Sequence, residues 1–171
     1  MPSIQRIFIV GQPGAGKGVL AKILAKKLNW QFVDADLGIE SHVGLTLHEI
    51  LGKQGLDSYC ECQFKILETL TNKQAIVVAT DGLVLGNDKC IALLNREFVV
   101  HLTINASTQI AERTTDGPPT LLNFDNYSNL LDELHAERDG KYESVANYSF
   151  NRDNDTLDEH VQGIVEMVNN T

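Results

Sequence analysis

The chain has 171 residues, 43% of them hydrophobic and 22% charged, with a formal net charge of −9, enough for one domain that buries roughly 70% of its unfolded surface. No apolar run approaches the roughly 18 residues that a membrane span needs, and the apolar part of the opening "MPSIQRIFIV" is too short for a secretory signal. An acidic whole also lacks the positive footprint that nucleic acid demands.

Residues 1–171 are therefore expected to form a single cytoplasmic domain, monomeric, with no membrane or nucleic-acid partner. The charge is uneven. Residues 1–30 hold Arg6, Lys17, Lys22, Lys26 and Lys27 and no Asp or Glu, so they carry +5 and the rest of the chain −14. A local basic island of this kind suits a small phosphate ligand.

The first apolar run, "IFIV" (7–10), is continuous and reads as a buried strand. It leads directly into "GQPGAGKG" (11–18), where Gly11, Gly16 and Lys17 match G-x-x-x-x-G-K between a strand and a helix. Gly11, Gly14, Ala15 and Gly16 let backbone amides converge on phosphate oxygens, the helix start adds a positive dipole end, and Lys17 adds a full charge. A glycine-rich connecting turn is the plain alternative, but spacing, flanks and local charge agree on nucleotide phosphates. Gly18 and Val19 stand where a Ser or Thr hydroxyl commonly ligates Mg²⁺. The metal grip is weakened and the phosphate cradle is kept. The Gly-Lys-Gly form resembles the loop of adenylate kinases, in which Thr follows.

A helix is predicted over 17–28, with Val19, Leu20, Ile23, Leu24 and Leu28 on one face and Lys22, Lys26 and Lys27 on the other. "QFVDAD" (31–36) is a second strand. Its Asp34 and Asp36 share one face by the two-residue period and sit at the strand end where open α/β folds bind ligands. Asp34 is placed to hold metal-bound water and Asp36 to accept a proton from an acceptor hydroxyl; helix capping is the competing role.

Helical patterns at 36–42, 46–53 and 57–71 precede the strand "AIVVAT" (75–80). The Asp81 that closes it fits a Mg²⁺ ligand or a turn residue before Gly82 equally well. A helix at 88–95, the strand "FVVHLTI" (98–104) and a helix at 107–113 follow. The segment "TTDGPPTLLNFDN" (114–126) has neither period, its Gly-Pro-Pro centre forbids both, and its length suits a lid. A helix at 126–146, a weaker strand "YSFNRD" (148–153) and a helix at 157–169 complete the chain. The last helix repeats Leu157, Val161, Ile164, Val165 and Val168, behind a Thr156–Glu159 capping box.

This alternation predicts an α/β fold with a central parallel sheet of about five strands and helices on both faces. Cys60, Cys62 and Cys90 are too few and too oddly spaced for a disulfide framework or a zinc site. The five histidines show no sequence pattern that pairs them; His101, within a strand, reads as a packed or hydrogen-bonded structural residue.

Taken together, "GQPGAGK", "DADLGIE", "GLTLHEIL", "GLDSYCECQ", "AERTTDGPPTLL" and "ERDGKY" make the chain resemble a shikimate kinase nearly end to end. The resemblance implies the three-layer P-loop NTPase fold, ATP and Mg²⁺ as cofactors, and transfer of the γ-phosphoryl group to a small hydroxylated acceptor, shikimate or a related metabolite. It implies that Lys17 cradles phosphates within a nucleotide site of Gly11 and Gly14–Val19, and that Arg113 packs against adenine. It further implies that Asp36 binds the acceptor hydroxyls and acts as base, that Arg138 grips a carboxylate, and that positions 60, 81 and 82 line the acceptor.

Three places depart from the family pattern: Cys60 and Pro119 stand where it has Arg, and Thr80-Asp81-Gly82 replaces Gly-Gly-Gly. Two cations are lost and one anion is added, leaving Arg138 to hold a carboxylate unless Lys53, Lys65 or Lys141 joins it. A kinase-like nucleotide-binding protein with little transfer chemistry is the alternative these departures suggest. A nucleoside monophosphate kinase is disfavoured, because Lys53 is the only Lys or Arg across 36–60.

Overall fold

A strand whose neighbouring side chains are all apolar can bury them only if both of its faces are covered. The computed structural model describes residues 3–12, 14–36, 47–116, 124–154 and 156–171, with the side chains at 47–57, 110, 113–116, 124–128, 130 and 131 outside that description. In it β1 (Arg6–Val10) is the central strand of a five-stranded parallel sheet. The remaining strands are β2 (Gln31–Ala35), β3 (Ile76–Thr80), β4 (Phe98–Thr103) and β5 (Tyr148–Asn151), in the order β2-β3-β1-β4-β5. The helices are α1 (Lys17–Leu28), α2 (Leu47–Leu70), α3 (Asp88–Leu94), α4 (Ala106–Asp116), α5 (Phe124–Val145) and α6 (Leu157–Asn169).

The period of two along β1 divides the core. Ile7 and Ile9 pack with Leu20, Leu24, Ile164 and Val168 under α1 and α6. Phe8 and Val10 pack with Leu67, Leu70, Leu94, Tyr142 and Val145 of α2, α3 and α5. Each fully buried Leu or Ile contributes about 1.5–3 kcal/mol, so the sheet is held from both sides, as the three-layer expectation required. From β1 the chain crosses to β2 at one edge, whereas β3 leads to β4 on the other side of β1. Diverging connections of this kind open a crevice over the carboxyl ends of the strands. No described helix is long and apolar enough to cross a membrane.

Several expectations need correction. The patterns at 46–53 and 57–71 are one helix, α2, running through Gly52 and Gly55; the propensity penalty of about 1 kcal/mol per Gly is outweighed. The segment 114–126, expected to be free of helix, is helical at both ends, because α4 extends to Asp116 and α5 begins at Phe124; 117–123, where the rest of the expected lid falls, lie outside the described residues, as do 37–46, which include most of the helix expected at 36–42. Val19 is 62% exposed and not part of the apolar face of α1. Thr156 occupies the N-cap of α6, but its side chain makes no capping bond, so the capping box does not form; Asp158 and Glu159 complement the helix dipole from the first turn. β5 stops at Asn151, which leaves Arg152 beyond the end of the sheet.

Candidate active site

The loop between β1 and α1 is shaped by its glycines. A Cβ on Gly11 would collide with the backbone carbonyl of Leu102 on β4, so no other residue lets the loop start this close to the sheet. Gly16, the N-cap of α1, has φ 94°, in the left-handed region that other residues enter at a cost. No side chain caps this helix start and no acidic residue stands in its first turn. The positive dipole end of α1 therefore carries neither a capping side chain nor an acidic neighbour, as an anion site at a helix start requires.

Lys17, at the first position of that helix, is 7% exposed. Its Nζ donates to the carbonyls of Gly11 (2.8 Å) and Gln12 (3.0 Å). The ammonium is folded back over the loop and does not extend into solvent. Arg152 reaches the loop from the far edge of the sheet. Its Nη1 donates to Ala15 O (3.0 Å) and Gly14 O (3.4 Å), and its Nη2 pairs with Glu112 of α4. Reading "YSFNRD" as a strand hid this residue; an arginine just past the carboxyl end of a strand was the available signal.

The acidic residues gather at the ends of β2 and β3, where Asp34 is in register with Ala79 and Ala35 with Thr80. Asp34 and Asp36 are exposed. β2 ends at Ala35, and the amide of Asp36 donates to Asp34 Oδ1 at 3.0 Å, so the chain turns between the two carboxylates. Asp81 is 2% exposed, and its Oδ1 accepts from Leu83 N at 2.8 Å. The turn role is thus realised at Asp81, at the same carboxyl end where a metal ligand was expected. Among the described residues no group of three or more His, Cys, Asp or Glu side chains could hold a metal ion by itself.

Arg138 lies on α5 and lines a cavity of about 40 Å³ with Lys141, Glu137, Tyr142 and the Gly82–Leu83 turn. Tyr142 is buried and donates to Gly82 O, which fixes α5 against that turn. Cys60 is brought to the contact between α2 and α3, where its carbonyl accepts from Asn87 Nδ2 (2.9 Å) at the N-cap of α3. Burial, with Cys60 nearby, pushes the Cys90 thiol up to about 12. Cys62 is exposed while Cys60 is half-buried, as residues two apart on a helix point different ways. The Arg113 side chain lies outside the described residues. A larger groove of about 780 Å³, between Val33 and α2, includes none of the loop residues, so size alone does not mark the site.

Gln12, buried in the loop, is tied to α5 by partners far along the chain. Half-buried His135 meets Asp139 one turn on, a pair that the i,i+4 spacing offered and the sequence reading missed, and also meets Gln109. His101, beside Val10 in the sheet register, packs against the Tyr142 ring at 5.3 Å. Among the described residues neither of its nitrogens has a hydrogen-bond partner, and the same holds for Gln12 Oε1. His101 is packed, as expected, but not hydrogen-bonded.

A buried lysine over a loop at a helix start, with carboxylates at adjacent strand ends, is an arrangement suited to phosphoryl transfer. Comparison with known proteins points the same way. A family model described as shikimate kinase matches residues 13–169. The chain is 33% identical over 169 residues to the shikimate kinase of Vibrio parahaemolyticus, covering 98% of both chains. Among solved structures it resembles the shikimate kinase of Acinetobacter baumannii in complex with shikimate, with a TM-score of 0.76, 28% identity and coverage of 98% and 94%. It also resembles that of Bacteroides thetaiotaomicron, with a TM-score of 0.78, 25% identity and coverage of 96% and 98%.

Proposed function

The chain belongs to the shikimate kinase family, and from that premise we propose that it transfers the γ-phosphoryl group of ATP to a hydroxyl of shikimate. The observation that carries this reading is Lys17, buried at the uncapped start of α1 with its ammonium held over the loop. A lysine held there offers its charge to phosphate oxygens without having to be gathered from solvent.

In this reading the loop amides and Lys17 bind the triphosphate, and Asp36 takes the proton from the acceptor hydroxyl as the phosphoryl group departs. Arg138 grips the acceptor carboxylate, as the family resemblance implies, and Lys141, which lines the same small hollow beside Gly82 together with Glu137, is the second cation within reach. That pair addresses the Arg missing at Cys60: a charge-assisted bond is worth about 1.5–3 kcal/mol, and Lys141 restores a second cation on α5. Arg113 contributes on the adenine side. The alternative of a silent nucleotide-binding relative is not favoured, because the likeness to shikimate kinases runs the whole length of the chain.

Magnesium fits the donor set in a limited way. Asp34 and Asp81 offer hard oxygen ligands at neighbouring strand ends, and a Mg²⁺ ion arriving with ATP takes few protein ligands and keeps several waters. Bound there, it would neutralise charge on the phosphate oxygens. We read the protein as a cytoplasmic monomer.

A coupled assay for ADP release tests this function, with shikimate run beside polyols and nucleoside monophosphates. Shikimate-dependent release is the expected result. Release with none of these acceptors, or only with a nucleoside monophosphate, would overturn it.

A further inference from the structure

Gln12 is an amide side chain inside the phosphate loop, 1% exposed. A buried amide left without partners costs about 1–3 kcal/mol, so its bonds define why it is tolerated. Nε2 gives one hydrogen to Leu134 O (3.1 Å) and the other to Asp139 Oδ1 (2.8 Å), both on α5. Asp139 Oδ2 lies 2.6 Å from Nδ1 of His135, one turn earlier on the same helix. His135 Nε2 in turn lies 2.7 Å from Oε1 of buried Gln109, on α4.

At its other end, the Gln12 carbonyl accepts from Lys17 Nζ (3.0 Å) and from Ala15 N (3.1 Å). A continuous series of bonds therefore runs from the Lys17 ammonium through Gln12, Asp139 and His135 to Gln109. It joins the phosphate loop to α5 and α4. Arg138 is the residue next to Asp139, so the carboxylate that ties down the loop and the guanidinium assigned to the acceptor are consecutive on one helix.

We propose that Asp139 is a positioning residue for phosphoryl transfer: through Gln12 it fixes the phosphate loop and Lys17 relative to Arg138, and so sets donor and acceptor in register. The inference rests on the functional reading above and adds a link between its two half-sites. Asp139 acts through Gln12, with one carboxylate oxygen on Gln12 and the other on His135. In-line transfer depends on placement to about 1 Å, and a misplacement of that size costs about a hundredfold in rate. Binding of each substrate alone uses one half-site, so cutting the link lowers kcat and spares both KM values.

The test uses Asp139→Leu, which keeps the approximate shape and removes the acceptor oxygens, and Gln12→Met, which cuts the same link from the loop side. ADP release is measured with ATP and shikimate each varied, and Tm is recorded alongside. Each variant is expected to lower kcat about 10- to 100-fold, with both KM values within about threefold of the parent. The double variant should be no worse than the worse single one, because both remove one coupling. Folded variants with kcat within about twofold of the parent, losses confined to KM, or losses that multiply in the double variant would overturn the proposal. So would failure of both variants to fold, which would assign the series to stability alone. A second readout needs no turnover: the ¹⁵N–¹H amide signals of Gly14, Ala15 and Gly16 should move in Asp139→Leu. Unmoved signals overturn the link, whereas a parent protein that never releases ADP with shikimate overturns the functional reading instead.

Discussion

Arg152 donates to the backbone carbonyl of Ala15 at 3.0 Å across 137 positions of sequence, and its second nitrogen pairs with Glu112. The guanidinium thus braces the phosphate loop from the β5 edge of the sheet through the loop's own carbonyls. Arg152→Met should release that brace and leave Glu112 without its cation. The expected outcome is a rise of roughly tenfold or more in KM for ATP, in line with the loss of a charge-assisted bond, with KM for shikimate little changed. Arg152→Lys should recover only part, because an ammonium cannot reproduce the fork. Steady-state kinetics with each substrate varied checks this.

Lys17→Met should leave the fold standing, because the carbonyl of Gln12 keeps the Ala15 amide as a donor and the methionine stem fills the same space. Nucleotide titration should show affinity for ATP reduced by at least about tenfold, and ADP release should fall by about 10³-fold or more, as when a cation on the transferring group is removed. Unchanged titration would remove the loop from the nucleotide site.

Lys141 and Arg138 line one cavity beside Gly82. Lys141→Gln should raise KM for shikimate by roughly three- to tenfold, and Arg138→Gln by more, since the fork makes two bonds to a carboxylate. Neither change should move KM for ATP. An acceptor analogue lacking the carboxylate should bind parent and Lys141→Gln alike.

His101 provides a pH signature of stability. Its pKa is held below the ordinary 6.5, first by burial and further by the charge of Lys17, with Asp139 and Glu143 opposing. A histidine with a depressed folded pKa stays neutral in the native state while the unfolded chain takes up its proton below 6.5. The unfolded state then binds more protons, so stability falls as pH drops from about 6.5 toward the folded pKa, by up to about 1.4 kcal/mol per pH unit for one proton. His101→Phe should flatten that part of the profile and leave stability above pH 7 nearly unchanged. Denaturant unfolding from pH 7.5 to pH 5 measures it, and parallel slopes for the two proteins would refute it.

How much of this was legible in the chain follows from how far apart the interacting groups lie. The run 7–10 and the repeats of 17–28 and 157–169 place β1, α1 and α6 because apolar period is a property of adjacent residues, and the Gly-rich loop is a local motif whose backbone demands can be read residue by residue. The same locality explains the errors. Gly52 and Gly55 look like a break until α2 is seen packing along its later turns, and Thr156 looks like a cap until its side chain is found without the bond.

By itself, then, the sequence determined a parallel sheet with helices on both faces, a phosphate loop ending in Lys17 and acids at the strand ends, since each is encoded within a few positions. Only the tertiary structure decided that Gln12 meets Asp139 across 127 positions, that Arg152 reaches Ala15 across 137, and that neither buried nitrogen of His101 finds a hydrogen-bond partner among the described residues. Those contacts arise because crossover connections bring the strand ends together in space, and the pairing of polar groups there is set by the packed fold and carries no repeat or spacing along the chain.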